Sequence, residues 1–464
     1  MLFTFVFSPF DTFLMCLYEN GRKDCESFVL DEGVVGMGWL VMFVVTLPFH
    51  SLTEPFPFSL NIHWCVFGTQ MSHHLCPLLF VTFLCASLCH CASVATADEL
   101  ISLFNKATGN TLQTDIEVTA DLDFSASNLT LPLGAFSNGT CVAFSGVFHG
   151  NGHSIKGLKM NNTNNEGYRH AGLFCSLKDA TVENLVIDSS CSFTGYSAGA
   201  LSVSVDGSVT VTNTTNNAAV SGVNRVGGFI GFVQHLKQLI VILLKDCVNN
   251  GNVSGNGYYV GGFVGFIFQN TNIAINVFNL TNNGNVTASG SSVGGFFGFI
   301  GSNTIITVFI SNSTNNGNAM TDGQNGGGFV AVFLSNTNVT TTISNSINNG
   351  IISGSKGYIG GFVGSIYENV NIVMTIPESI NNGVVTGSSQ LVGGFVGLIF
   401  SNTITLTVSY STNNGDVSGY GYNGGFAGYI INNTNMAIGV FNFTNNGNIT
   451  GNGFDVGGIV GEIE

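Results

Sequence analysis

Two patterns of apolar and polar positions alternate along the C-terminal half of the chain. One is a short apolar run rich in glycine, such as Gly-Gly-Phe-Val-Gly-Phe-Ile (residues 261–267). The other is a strict alternation, with Ile273, Ile275 and Val277 on one side and Ala274 and Asn276 on the other. It recurs at Ile372, Met374 and Ile376, and at Ile404, Leu406, Val408 and Tyr410. Period two with β-branched residues predicts strands. No repeat carries the spacing of an amphipathic helix.

The two patterns recur in phase. Asn-Asn-Gly ends at Gly251, Gly284, Gly317, Gly350, Gly383, Gly415 and Gly447, with a degenerate copy ending at Ala218. Gly-Gly-Phe places Phe229, Phe263, Phe296, Phe329, Phe362, Phe395 and Phe426, and Ile459 in an eighth copy. The unit is about 33 residues, and 216–464 reads as eight tandem repeats. Asn-Asn-Gly is expected to turn the chain through positive φ, and the phenylalanines to form a repeated core.

One unit of two or three strands cannot bury its apolar face. Stacked units can, and asparagines at one phase should then form ladders of side-chain amides from coil to coil. The expected fold is all-β: a repeat β-solenoid of the right-handed parallel β-helix kind. A β-sandwich or a propeller is the alternative, although a propeller blade needs four strands and usually about 40 or more residues.

The markers Thr-Asn-Asn-Gly-Asn-Val-Ser-Gly and Val-Gly-Gly-Phe-Val-Gly resemble the GLUG-type repeat of bacterial and protist surface proteins, with Phe in place of the usual Leu. The segments Phe144–Met160 and Ala171–Asp188 resemble the lead-in of such surface β-helices, so 98–215 is expected to be an N-terminal β-helix or capping region. His149 stands where that family usually has Asp. The resemblance covers about 144–464 and implies architecture and a surface role. Some relatives carry IgA-peptidase domains, but no HExxH zinc motif occurs here.

Upstream, Met71–Ala97 has a polar start, an apolar run (Leu78–Leu88) and a small-residue end, as in a signal peptide cut before Asp98, or alternatively after Ser93. Residues 1–70 then read as an over-extended N-terminus. They hold both tryptophans, Trp39 and Trp64, and few asparagines. The competing reading makes them membrane-associated, although the apolar run Val34–Phe49 falls short of the ~20 residues of a span. Either way the repeats are expected to be secreted or at the cell surface.

Composition narrows the function. Only 8% of residues are charged, against about a quarter in ordinary domains, while 44% are hydrophobic, which argues against disorder. The net charge is −15, and from Asn249 onward Lys356 is the sole basic residue, so there is no footprint for nucleic acid. Cys141, Cys175, Cys191 and Cys247 could form two disulfides in three pairings or stay as buried thiols. No CxxC pair suggests zinc.

Candidate catalytic groups are sparse. His149 and His153 flank Gly-Asn-Gly, a corner rather than a helical ligand pair, and His170 and His235 are isolated. The run from Gly255 superficially resembles a dinucleotide loop but lacks the following helix. Glycoside cleavage needs two carboxylates about 5–9.5 Å apart. Asp322, Glu368, Glu378, Asp416, Asp455, Glu462 and Glu464 do not share a phase, and no calcium-roll pattern is present. No catalytic residue, cofactor or metal is therefore expected. Twelve Asn-x-Ser/Thr sequons follow Asp98, among them Asn128, Asn138, Asn252, Asn285, Asn312 and Asn448. The sequence points to an adhesion or binding module whose long polar face takes carbohydrate or a surface glycoprotein. A β-helix polysaccharide lyase or hydrolase, and a passive stalk or coat, are the alternatives.

Overall fold

The computed structural model describes residues 91–464, apart from 108, 165, 166, 389, 390 and 454, together with three strands near the start. The chain divides into two compact units, Met1–Ala86 and Ser87–Glu464. In the first, Leu2–Phe7, Thr12–Glu19 and Arg22–Val29 pair antiparallel in sequence order. The apolar runs Val34–Phe49 and Leu78–Leu88 lie outside the described residues. No helix among the described residues is long and apolar enough to cross a membrane.

The second unit is a parallel β-solenoid in which sheets of 11, 12, 12 and 17 strands run the length of the stack. One coil illustrates the rest. Val248–Asn249 joins the first sheet, Val253–Gly255 and Tyr259–Gly261 the second, Val264–Phe268 the third and Thr271–Phe278 the fourth. Thr281–Asn282 then begins the next coil beside Val248–Asn249. Residues pair with their counterparts one repeat on, as in Val253↔Val286↔Ala319↔Ile352↔Val385. Parallel strands buried on both faces become continuous apolar runs, and this explains Gly-Phe-Val-Gly-Phe-Ile. Ile267 points into the core, while Phe266 on the opposite face is covered by an outer cluster with Phe299 and Val332.

The seven repeat phenylalanines from Phe229 to Phe426 are fully buried. Five consecutive ring pairs from Phe229 to Phe395 have centroids 5.1, 5.1, 4.6, 4.9 and 4.6 Å apart. Such contacts add about 0.5–1.5 kcal/mol each beyond burial. Ile459, in the last described coil, is 41% exposed, since no described coil covers its far side.

Asparagine ladders tie the coils together. Asn216, Asn249, Asn282, Asn315, Asn348, Asn381 and Asn413 are fully buried. Each Nδ2 donates to Oδ1 of the counterpart one coil on, at 2.7–2.9 Å, the last reaching Asn445. In the coil of Asn249 the same Nδ2 also donates to the Gly251 carbonyl, at 3.0 Å. A second buried ladder runs Asn270–Asn303–Asn336–Asn369–Asn402 and continues to Asn433. Buried amides must be hydrogen-bonded, and a neighbour at the same phase is the partner that stacking supplies. An exposed ladder, including Asn250, Asn283 and Asn316, donates towards the preceding coil, opposite in sense to the buried ladders.

The corners correct one expectation. None of the Asn-Asn-Gly glycines from Gly251 to Gly447 has positive φ. They are required by close approach instead: a Cβ on Gly317 would lie 2.0 Å from the Gly284 carbonyl oxygen. Positive φ falls on other rows, including Asn279, Asn312 and Asn345, and Asn272, Asn338 and Asn371, residues that tolerate the left-handed region best after glycine.

At the N-terminal end, Ala97–Asn105 is a helix whose Thr96 and Glu99 form a capping box. Its Phe104 packs on Phe144 and Phe174, closing the core. Cys91–Val94 pairs with Asp115–Val118, and Val94 is buried. Cleavage before Asp98 would remove this strand and the helix cap.

Two stability predictions follow from the packing. Thr341 is 1% exposed in an inward row between Val308 and Met374, and its Oγ1 has no partner. Thr341→Val should stabilise the protein by about 1–2 kcal/mol, read as a raised denaturation midpoint; a lower midpoint would show that the hydroxyl is satisfied. Gly317→Ala should destabilise by more than the ~1 kcal/mol a well-placed Gly→Ala change involves, because the obstruction is backbone on the adjacent coil.

Candidate functional site

A groove runs along the outer side of the second sheet, lined by the first of its two strands in each coil and the residues that follow it. Alternation turns Val253 and Val260 inward and Ser254 and Tyr259 outward. Register stacks the outward position of the first strand into one row: Ser221, Ser254, Thr287, Met320, Ser353, Thr386, Ser418 and Thr450. Beside it lie Asn256, Ser289, Asp322, Ser355 and Ser388. The next position in the strand is small or short, Gly255, Ala288, Thr321 and Gly354 in successive coils.

The groove segment from Ser254 to Ser388 encloses about 490 Å³. A further segment of about 270 Å³ continues past Ser388 to Thr450. Hydroxyls recur in every coil of the row except that of Met320, at a strand spacing of about 4.8 Å, which is close to the length of one pyranose unit. Asp322 is the one carboxylate lining the longer segment. The sequence contained this row, but the eye passes over it because Ser, Thr and Met alternate there without a fixed letter.

A second external feature is the corner between the second and third sheets. Tyr259, Phe266, Phe268 and Phe299 cluster there, with Tyr259 4.7 Å from Phe266 and 4.4 Å from Phe299. Further along, Tyr358, Leu391, Leu398, Phe400, Tyr422 and Tyr429 line a cleft of about 340 Å³.

The sequence-derived candidates are dispersed. His149 Nδ1 lies 2.7 Å from Glu183 Oε1 on the fourth sheet, one coil apart. His153 Nδ1 is 3.6 Å from Asp121 Oδ1, whose other oxygen accepts from Lys156 Nζ at 2.6 Å. The Lys156 hydrogen bond, and after it those from the Ser154 amide and hydroxyl, hold the Asp121 carboxyl well below its usual range. His170 is mostly buried, and burial, then Arg225 and Arg169, hold its pKa down at about 4. His235 occupies a positive-φ corner against Phe268. Glu368 and Glu378 occupy different positive-φ corners, and Asp416 accepts from the Asn448 amide. Among the described residues no three His, Cys, Asp or Glu side chains converge as a metal site would require. The six named sequon asparagines are all exposed.

The cysteines correct another expectation. Cys141 and Cys175 form a disulfide between adjacent coils, but Cys191 and Cys247 are separate buried thiols. Register explains this. Cys191 sits in the corner row of Ala218 and Gly251, after the asparagine strand, whereas Cys247 sits in the row of Leu280 and Ser313, before it. Burial pushes their thiols up to about 11 and about 12.

No family model matches the chain. A curated protein, Halomucin of Haloquadratum walsbyi (strain DSM 16790 / HBSQ001), is 35% identical over 98 residues, which is 21% of this chain. The chain thus spans about 1% of the length of the curated relative it matches. A solved structure of a candidate immunoglobulin A1 protease from Bacteroides ovatus is 16% identical. The alignment covers 75% of this chain and 83% of that one, with a TM-score of 0.34. A likeness of that order carries no argument about chemistry here.

Alkylation of the native full chain followed by peptide mapping should label exposed Cys91 and leave Cys191 and Cys247 untouched until denaturation. Cys141 and Cys175 should label only after denaturation and reduction. A Cys191–Cys247 cross-linked peptide would overturn the register given above.

Proposed function

We propose that this β-solenoid repeat protein is a secreted or cell-surface binding module that holds an extended glycan chain, free or on a glycoprotein, along the hydroxyl groove, and does not cleave it. The observation that carries this reading is the outward row from Ser221 to Thr450, which bears a hydroxyl in every coil but that of Met320. Solenoids present long surfaces for polymeric partners. Hydroxyl and amide groups exchange hydrogen bonds with sugar hydroxyls without the desolvation cost of burying charge. A single carboxylate in the longer segment offers no acid–base pair, and so favours binding over hydrolysis. The GLUG-type motifs and the partial likeness to Halomucin support a surface setting and say nothing of the ligand.

The test is retention of the full chain on a panel of neutral polysaccharides, with new reducing ends scored in the same samples. Retention without cleavage is expected. Ser353→Trp, at a half-exposed position, should leave the melting temperature unchanged while filling the groove, weakening retention about tenfold, or ~1.4 kcal/mol. New reducing ends would overturn the non-enzymatic reading. Equal retention by wild type and S353W would overturn the groove.

A further inference from the structure

The chain has three arginines, and two of them, Arg169 and Arg225, both act on His170 at the N-terminal end of the aromatic corner. Arg225 lies in register between Ser197 and Tyr259, with its guanidinium 4.8 Å from the Phe232 ring and 5.3 Å from the Phe266 ring. Its Nη1 donates to Gln234 Oε1 at 2.6 Å. Arg169, exposed, lies 5.4 Å over Tyr196. The His170 ring sits between them, 6.4 Å from Tyr196 and 6.2 Å from Phe232, and its Nδ1 accepts from the Ser197 amide.

Among the described residues no carboxylate forms an ion pair with Arg169 or Arg225. In a chain of net charge −15, the side-chain ion pairs among the described residues all lie elsewhere, on His149, His153, Lys156 and Lys245. Apart from the bond to Gln234, the guanidinium donors of Arg225 have no protein partner among the described residues. The wall behind is under-satisfied as well: Ser197 Oγ is fully buried without a partner. A half-buried guanidinium is a fork of donors that matches a carboxylate in two parallel bonds. His170, its pKa held low by burial and then by the two arginines, leaves the positive charge of the corner to the guanidinium groups. Arg225 shares the strand Ala219–Gly227 with Ser221, the first member of the outward row, one coil before the groove lining begins at Ser254.

We propose that Arg169 and Arg225 form a subsite for the carboxylate of an acidic sugar, a uronic-acid type of residue, on the glycan held in the groove. This deepens the glycan-binding reading and rests on it. Tyr196 and Tyr259, both half-buried, supply the ring faces and edges against which a pyranose packs, and this sets a sugar carboxylate apart from a free inorganic anion.

The test measures binding of the full chain to a galacturonic-acid oligomer, to its methyl ester and to inorganic phosphate, beside the neutral polysaccharides above. The acid should bind at least about tenfold more tightly than the ester, with phosphate failing to displace it at equal concentration. Arg225→Gln should abolish the preference, and Arg225→Lys should recover only part, because an ammonium cannot bond in parallel pairs. Arg169→Gln, at an exposed position, should reduce it without affecting folding. Equal binding of acid and ester, full displacement by phosphate, or an unchanged preference in both glutamine variants would each overturn the subsite. Retention of neutral polymers in any of those cases leaves the groove reading standing; loss of all glycan binding ends both.

Discussion

Everything in the second unit depends on like residues stacking on like residues, about 4.8 Å apart. A buried asparagine is costly alone, since its amide carries donors and acceptors that apolar surroundings cannot meet. In register, each amide meets its own copy above and below. Asn249 gives a hydrogen to Asn282 and takes one from Asn216. The unit is therefore stable only as a stack, and the strict phase of the sequence is the signature of that constraint.

The same constraint shapes the other rows. Phenylalanines stack face on face because the position directly above is again phenylalanine. Glycines persist where one coil's backbone presses on the next, as Gly317 does on Gly284. Outward rows are released from it. Their residues vary from coil to coil among Ser, Thr, Met and Asn, and there the molecule forms a continuous groove.

Function in such a fold is linear. Side chains that recur at one position make a rail, and a site with individual chemistry needs a break in the repetition. The Arg169–Arg225 corner is one such break, near the junction of the lead-in coils with the repeats. The Cys141–Cys175 disulfide and the capping helix are others, concentrated at the N-terminal end, where the stack begins and its core would otherwise be open.

Asn-Asn-Gly, Gly-Gly-Phe and the alternation after Thr271 were enough to read the all-β class, the coil length, the buried phenylalanine row and the asparagine ladders, because each is a local consequence of phase. Which glycines turn the chain could not be read that way: close approach and positive φ both select glycine or asparagine, and only the coil-to-coil distance at Gly251 separates them. The pairing of Cys141 with Cys175, and the isolation of Cys191 from Cys247, needed the register that places two corners on opposite sides of one strand. The groove and the arginine corner needed it too. They join residues a full coil or more apart, each unremarkable in its own repeat, and proximity of that kind exists only once the chain has closed its coils.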